Sequence, residues 1–291
     1  MKGAIWHILA ILTVVIWGTT FVSTKLLLRQ GLSPAEIFFI RFLIAYILLL
    51  LVTRKRAQKR FDWRDEWRMI GLGITGGSLY FLTENLALQY APAANVSLLV
   101  CTTPLITLLL NRLFFRSEPL GRYAVGGSLI ALAGVVLVVL NGHFSLKLSP
   151  KGDLLAISAS LLWALYTMLL RSLDKRGHDN LIITRKVFGY GLLTILPYFL
   201  WRPPHYAGIF TEPVVVGNLL FLAVVASLIC YAVWNEVVRR LGTATSSNYL
   251  YINPLAATIA AALVLGEQIT PTAAAGALLI LAGIALARRP S

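Results

Sequence analysis

One passage occurs twice in the chain and decides how it folds. Residues 118–137 are EPLGRYAVGGSLIALAGVVL, and residues 267–286 are EQITPTAAAGALLILAGIAL. Leucine and alanine matches are expected in an apolar sequence, but one acid and two glycines recur in the same register, 149 positions apart: Glu118, Gly127 and Gly134 match Glu267, Gly276 and Gly283. Because this offset is about half of the 291 residues, the sequence predicts an internal duplication.

The composition places the chain in a membrane. Hydrophobic residues make up 58% of it and charged residues 13%, whereas a soluble domain has about 25% charged residues. Ten apolar runs approach the roughly 20 residues that a helix needs to cross a bilayer. They lie at 4–28, 35–53, 69–90, 92–115, 120–141, 152–171, 181–200, 214–238, 243–265 and 271–288. The short loops between them leave no room for a soluble domain, so we predict an all-α, multi-pass integral membrane protein with ten transmembrane helices.

The positive charge predicts the orientation in the membrane. A net charge of +14 would suggest nucleic-acid binding in a soluble protein. Here 20 of the 26 Lys and Arg residues fall on one side of the ten spans and five on the other, with Arg41 inside a span. Cytoplasmic loops carry the excess of positive residues, so both termini and the 54–68 loop are predicted to be cytoplasmic. Contact of this loop with anionic lipids is an alternative role for its charges.

The duplication is predicted to be inverted. Five spans precede the midpoint near Ser149 and five follow it, and an odd number of spans gives the two copies opposite orientations. The chain therefore divides into two five-helix repeats, residues 1–148 and residues 149–291. Other residues recur at offsets of 146 to 150 positions: Trp17 with Trp163, Asn85 with Asn235, Ala94 with Ala244, and Pro104 with Pro254. Inverted repeats are typical of transporters that open alternately to the two sides of a membrane.

These motifs resemble a known family. Trp17-Gly18 in the first span, the APAAN run at 91–95, the Pro-Leu pair inside the fourth span and the doubled Glu-then-Leu-Ala-Gly passage are similar to the drug/metabolite transporter (DMT) superfamily, specifically its EamA-type repeat. The resemblance covers essentially the whole chain. It implies a bacterial inner-membrane exporter with its substrate site between the repeats. Within the superfamily the chain is most similar to the YddG-like exporters of aromatic and other neutral amino acids.

Aromatic and hydroxyl side chains recur at helical spacing inside the spans. Polar groups in a span usually face the bundle interior, because contact with lipid is costly. The candidates for a shared substrate cavity are Trp17 and Thr20 in the first span, Tyr80 in the third, Trp163 in the sixth and Tyr231 in the eighth. Aromatic residues also mark the membrane interface, but Trp17 and Trp163 lie well inside their spans. We therefore predict that both tryptophans contact the apolar side chain of a substrate.

Glu84 is the acid that the pattern places in the middle of a span. Its carboxylate is a candidate to bind the ammonium group of a substrate or to carry a proton. A structural role is the alternative, either as a protonated acid bonded to a neighbouring helix or as the partner of Arg41.

The fourth and ninth spans carry polar residues near their starts and a proline further in. Ser97 and Asn248 are candidates for the polar end of the substrate site. Pro104 and Pro254 each free a backbone carbonyl and kink a helix. Because the prolines occupy equivalent places in the two repeats, we predict a role in gating, with simple packing as the alternative.

Other function classes lack the residues that they need. The aspartates and histidines lie in loops or near span ends, without HExxH spacing, so we expect no intramembrane enzyme, no metal site and no cofactor. The sequence has no TVGYG-like channel filter. Phosphorylated substrates generally need buried cations, and the deep candidate here is Arg41 alone, with Arg185 and Lys186 nearer the end of a span. The expected substrate is therefore a neutral amino acid, with a drug or another small metabolite as the alternative.

Membrane lipids are the other expected partners, and nucleic acid is not an expected partner. The expected oligomeric state is a monomer.

The charge pattern leads to a labelling prediction. A cysteine placed in the 54–68 loop, with Cys101 and Cys230 replaced, should resist an impermeant thiol reagent added to intact cells and should react after permeabilisation. A matched cysteine in the 202–212 loop should react in intact cells. Labelling of the 54–68 loop from outside intact cells would reverse the predicted orientation.

Overall fold

The computed structural model describes residues 4–56, 62–91, 93–114, 121–140, 149–174, 177–204, 212–265 and 269–287. Within these ranges the chain forms ten helical spans and no β-strand, which confirms the predicted all-α architecture. The spans are α1 (Ala4–Arg29), α2 (Pro34–Thr53), α3 (63–90), α4 (93–114), α5 (Arg122–Leu140), α6 (Pro150–Asp174), α7 (Asn180–Trp201), α8 (Pro213–Leu241), α9 (243–265) and α10 (Pro271–Ala287). Counted over the same residues, five helices are long and apolar enough to cross a membrane.

Among the described residues, four of the spans are interrupted, and they are the spans that the sequence predicts to be repeat partners, α3 with α8 and α4 with α9. α3 and α8 each contain a π-helical stretch, at Ile74–Ser78 and Phe221–Ile229. α4 breaks at residues 101–102, and α9 tightens into a 3-10 turn at Tyr249–Ile252. The flanking α-helical segments are Trp63–Gly73 and Leu79–Tyr90 in α3, Ala93–Val100 and Thr103–Phe114 in α4, Pro213–Leu220 and Cys230–Leu241 in α8, and Thr243–Asn248 and Asn253–Leu265 in α9.

Polar caps set where α2 and α3 begin. α3 begins at Trp63, before the predicted start at 69, because the Asp62 carboxylate accepts the backbone N–H of Asp65 at 2.7 Å. The charged first turn is therefore helical although it is not part of an apolar run. At the start of α2, Ser33 and Glu36 form a capping box.

The doubled passage forms a close contact between two helices. A Cβ on Gly134 would lie 2.6 Å from the carbonyl oxygen of Gly276, and a Cβ on Gly276 would lie 2.6 Å from the carbonyl oxygen of Gly134. Gly127 and Gly283 approach each other in the same reciprocal way. Residue numbers rise along α5 as they fall along α10, so the two helices run antiparallel. Small residues at such positions allow the backbones in a membrane to approach closely.

Pro104 explains the break in α4. Proline has no N–H, so the carbonyl of Val100 loses its regular helical donor. Side chains replace that donor: Thr103 Oγ1 lies 2.7 Å from the Val100 oxygen, and Ser160 Oγ of α6 lies 3.1 Å from the same oxygen. In α9, the 3-10 turn directly precedes Asn253-Pro254. The structure thus places an irregularity before both prolines, while their role in gating stays a prediction.

One end of the bundle is held together by polar contacts between helices. Arg56 Nη1 lies 2.6 Å from Asp179 Oδ2, and Lys186 of α7 pairs with Glu66 of α3. Partial burial raises the pKa of Asp179, but hydrogen bonds from Arg56 and from the first amides of α7 outweigh that effect and lower the pKa below its ordinary value. Asp179 is therefore ionised at neutral pH. This end carries the 54–68 loop, whose residues 57–61 lie outside the described ranges, as do Glu118 and Glu267.

The glycine contact can be tested with adjacent residues. Gly127→Ala would place a Cβ against the backbone of α10, so we expect a loss of about 1–3 kcal/mol of stability, typical of overpacking. Gly126→Ala is the matched control, since a Cβ there meets nothing within 4 Å. Thermal unfolding of the detergent-purified proteins measures the difference. Equal melting temperatures for the two variants would show that α5 and α10 do not depend on this contact.

Candidate substrate-binding site

A cavity of about 80 Å³ lies in the middle of the bundle, where helices of both sequence halves meet. It has room for a few water molecules as it stands. Its lining comes from α1, α2, α3, α4, α6, α8 and α9, and consists of Trp17, Thr20, Phe21, Thr24, Ile37, Arg41, Tyr80, Phe81, Glu84, Asn85, Val100, Cys101, Thr103, Trp163, Tyr231, Leu250 and Asn253.

Four aromatic residues form one wall of the cavity. The rings of Trp17 and Trp163 are perpendicular, with centroids 5.4 Å apart. Tyr231 lies 5.9 Å from Trp17 and 5.8 Å from Trp163, and Tyr80 lies 5.0 Å from Trp163. These separations suit favourable edge-to-face and offset contacts between aromatic rings. The structure therefore brings the two repeat-partner tryptophans together, with the two tyrosines chosen from the sequence beside them.

The π-helical stretches supply acceptors for this aromatic wall. Trp17 Nε1 donates to the carbonyl oxygen of Ala226 at 3.0 Å, and the Tyr231 hydroxyl donates to that of Gly76 at 2.7 Å. Gly76 and Ala226 are 150 positions apart, the same offset as Asn85 and Asn235. Carbonyls are less regularly bonded in such stretches, which occur frequently at functional sites.

The Trp163 indole differs from that of its repeat partner. Trp163 is 6% exposed, and its Nε1 is buried without a hydrogen-bond acceptor in the part of the chain that the structure describes. The Tyr231 hydroxyl donates to the Gly76 carbonyl oxygen. This oxygen is the repeat counterpart of the Ala226 oxygen that accepts from Trp17. The two halves thus contribute equivalent rings with different hydrogen bonds, so the cavity is asymmetric.

Glu84 supplies the negative group of the cavity. It is 9% exposed, and its Oε1 accepts the hydroxyl proton of Tyr80 at 2.8 Å. The two residues are one helical turn apart on α3, so their side chains lie on the same face. The hydrogen bond orients the carboxyl group at the edge of the aromatic wall.

Arg41 supplies the positive group, and the sequence did not single it out as a site residue. It lies on α2, is 4% exposed, and donates from Nε to Ser227 Oγ at 2.8 Å. Its guanidinium carbon lies 4.8 Å from the centre of the Phe81 ring, within the range of a cation–π interaction. The signal that could have identified it is a single cation inside an apolar span. Such a residue is costly in a membrane and is therefore usually present for a function.

The remaining sequence candidates have different outcomes. Thr20 lines the cavity, with its hydroxyl bonded to the carbonyl oxygen of Trp17 at 2.6 Å. Asn248 does not line it, contrary to the prediction: it lies in the helical segment before the 3-10 turn, and its Oδ1 accepts from Ser128 Oγ of α5 at 3.1 Å. The side chain of Ser97 lies outside the described residues. Pro104 and Pro254 do not line the cavity, but their preceding residues Thr103 and Asn253 do.

The residues that the structure describes contain no group of three or more His, Cys, Asp or Glu side chains placed to hold a metal ion. The groups in the cavity lining that suit a small-molecule substrate are its aromatic rings, Arg41 and Glu84. Membrane-length helices around a mid-bundle cavity of this kind are typical of a small-molecule transporter.

Comparison with known proteins gives the family. The model of the EamA-like transporter family matches residues 4–140 and 150–289. The chain therefore belongs to this family, within the drug/metabolite transporter superfamily, and is a transporter and not an enzyme.

Curated relatives align over nearly their full length. An uncharacterized transporter of Archaeoglobus fulgidus is 30% identical, with 96% of each chain covered. A probable terminal-alkyne amino-acid exporter of Streptantibioticus cattleyicolor is 28% identical, with 99% of this chain and 94% of the relative covered. A probable amino-acid metabolite efflux pump of Salmonella typhimurium is 27% identical, over 95% and 92%. A solved crystal structure matches with a TM-score of 0.77 at 21% identity, over 98% of this chain and 96% of that one, and so supports the fold alone.

Proposed function

We propose that this protein is a secondary transporter that exports neutral amino acids with aromatic or other apolar side chains. One observation carries the proposal: Trp17 and Trp163, one from each sequence half, meet at a mid-bundle cavity that also contains Glu84. Two of the relatives, a probable terminal-alkyne amino-acid exporter and a probable amino-acid metabolite efflux pump, agree with it.

The cavity offers complementary surfaces for such a substrate. An apolar side chain would pack on the rings of Trp17, Trp163 and Tyr231, where aromatic contact and burial each contribute on the order of 1 kcal/mol or more. The ammonium group would bind Glu84, whose carboxyl group Tyr80 orients. A substrate larger than the present cavity would need the surrounding helices to separate, as they do when a carrier changes conformation.

Alternating access is the proposed mechanism. The antiparallel contact of α5 with α10 and the paired interruptions in α3 and α8 and in α4 and α9 support two inverted repeats, residues 1–148 and 149–291. Rocking of one repeat against the other would open the cavity to each side in turn. Pro104 and Pro254 follow the irregular turns of α4 and α9 and are the proposed points of bending.

The orientation follows from the charge pattern. We place the chain in a bacterial inner membrane as a monomer, with both termini in the cytoplasm. In that orientation the Arg56–Asp179 and Lys186–Glu66 contacts lie at the cytoplasmic end. These contacts would have to separate when the cavity takes up substrate from the cytoplasm.

Export can be tested by resistance to toxic analogues. Cells that overproduce the protein should tolerate toxic analogues of phenylalanine or tryptophan, and Trp17→Ala and Trp163→Ala cells should not. For Trp163→Ala the lost contact predicts a decrease of roughly tenfold or more in apparent affinity. Trp201→Ala is the control, because Trp201 is 81% exposed at the end of α7.

Two outcomes would contradict this proposal in different ways. Full tolerance in both cavity variants, with normal membrane insertion, would make the tryptophans packing residues. No tolerance in cells with the intact chain would replace the amino acid by a drug or another metabolite as the substrate.

Glu84 can be tested with an isosteric substitution. Glu84→Gln should insert normally but reduce amino-acid transport, because the amide neither pairs with an ammonium group nor releases a proton. Counterflow in proteoliposomes between about pH 5 and 8 is the measurement. Transport equal to that of the intact chain across this range would assign Glu84 to structure.

A further inference from the structure

Arg41 has unused hydrogen-bonding capacity at the cavity. A guanidinium group carries five N–H donors. Nε donates to Ser227, which is the one hydrogen bond that Arg41 makes among the described residues, so its two terminal nitrogens have no partner there. Arg41 lines the cavity and is 4% exposed, so it is available to a molecule bound in the cavity and not to lipid.

A buried arginine without an anion is costly. Charges removed from bulk water are normally paired, because desolvation is offset only by a close partner and additional hydrogen bonds. Glu84 lines the same cavity, but it accepts from Tyr80, and no ion pair within 4.0 Å joins it to Arg41. The cavity therefore presents a positive group and a negative group that are not in direct contact.

The surroundings of Arg41 fix its orientation. Ser227 holds Nε, and the guanidinium carbon lies over the Phe81 ring, 4.8 Å from its centre. Ser227 follows Ala226, whose carbonyl oxygen accepts the Trp17 indole. One π-helical stretch, Phe221–Ile229, thus positions both the arginine and part of the aromatic wall.

We propose that the terminal nitrogens of Arg41 bind the α-carboxylate of the substrate, while Glu84 binds its ammonium group. This assignment rests on the proposed export of amino acids and narrows its substrate class to compounds with a free carboxylate. A planar guanidinium matches the two oxygens of a carboxylate.

The same arrangement selects against other ligands. An amine or ester of the same shape leaves Arg41 unpaired, and a cationic drug places a second positive charge beside it. A phosphate ester would bring two negative charges toward Glu84, with one arginine to offset them. A charge left without its partner costs more free energy when it is buried than when it is exposed, so each of these ligands should bind more weakly than an amino acid.

The experiment compares three ligands that share one aromatic side chain. Binding of L-phenylalanine, L-phenylalaninamide and phenethylamine is measured on the full-length protein in lipid nanodiscs. We expect the intact chain to prefer phenylalanine over the other two by at least roughly tenfold. Arg41→Gln should lose at least roughly tenfold in affinity for phenylalanine while its affinity for the amide changes little, so the preference disappears.

Two further variants separate binding from folding. Arg202→Gln removes an exposed arginine at the end of α7 and should leave the preference intact. Arg41→Lys keeps the charge but not the planar fork. Arg41→Lys should retain a weaker preference for phenylalanine over the other two ligands. If Arg41→Gln fails to insert, Arg41→Lys replaces it as the test.

The outcomes are distinguishable. An intact chain that binds none of the three ligands contradicts the proposed amino-acid function. An intact chain that binds phenylalanine and its amide equally well leaves that function standing and overturns the role of Arg41. An undiminished preference in well-inserted Arg41→Gln, or in Arg41→Lys where it is the test, overturns that role as well.

Discussion

The close approach of α5 and α10 is the contact on which the arrangement of the two halves depends. Helices in a bilayer gain little from burying apolar side chains, because lipid is equally apolar, so they associate through close packing. Four glycines bring the two backbones together, and each contact is reciprocal: Gly127 with Gly283 and Gly134 with Gly276. The first glycine of each copy meets the second glycine of the other, so the two copies of the passage run antiparallel. A single Cβ at these positions would separate the helices.

The interrupted helices connect this framework to the cavity. A regular transmembrane helix uses nearly all of its carbonyls in internal hydrogen bonds, which leaves few of them without a backbone donor. The π-helical stretches of α3 and α8 and the break in α4 release carbonyls in the bundle interior. Trp17, Tyr231 and Ser160 donate to them from neighbouring helices. The irregular backbone thus fixes the aromatic wall. Hydrogen bonds between helices offset the backbone hydrogen bonds that are lost at the interruptions.

The cavity is built from equivalent positions but is not symmetric. Trp17 and Trp163 come from matching places in the two sequence halves, whereas Arg41 and Glu84 both come from the first half. A symmetric cavity would accept a substrate in either direction. In the proposed site, one cation, one acid and an aromatic wall would give a bound amino acid one preferred orientation.

The sequence by itself determined the helix number, the duplication and part of the candidate site. Ten apolar runs identify ten helices because a bilayer leaves few alternatives to a helix, and a polar or aromatic residue such as Glu84 or Trp163 stands out against an apolar background. Only the tertiary structure decided which of these residues meet. Asn248 accepts a hydrogen bond from Ser128 away from the cavity. Arg41 lines the cavity and donates a hydrogen bond to Ser227 of α8, 186 positions further along the chain. A local pattern does not encode such contacts, since they depend on how irregular helices rotate and pack against distant ones.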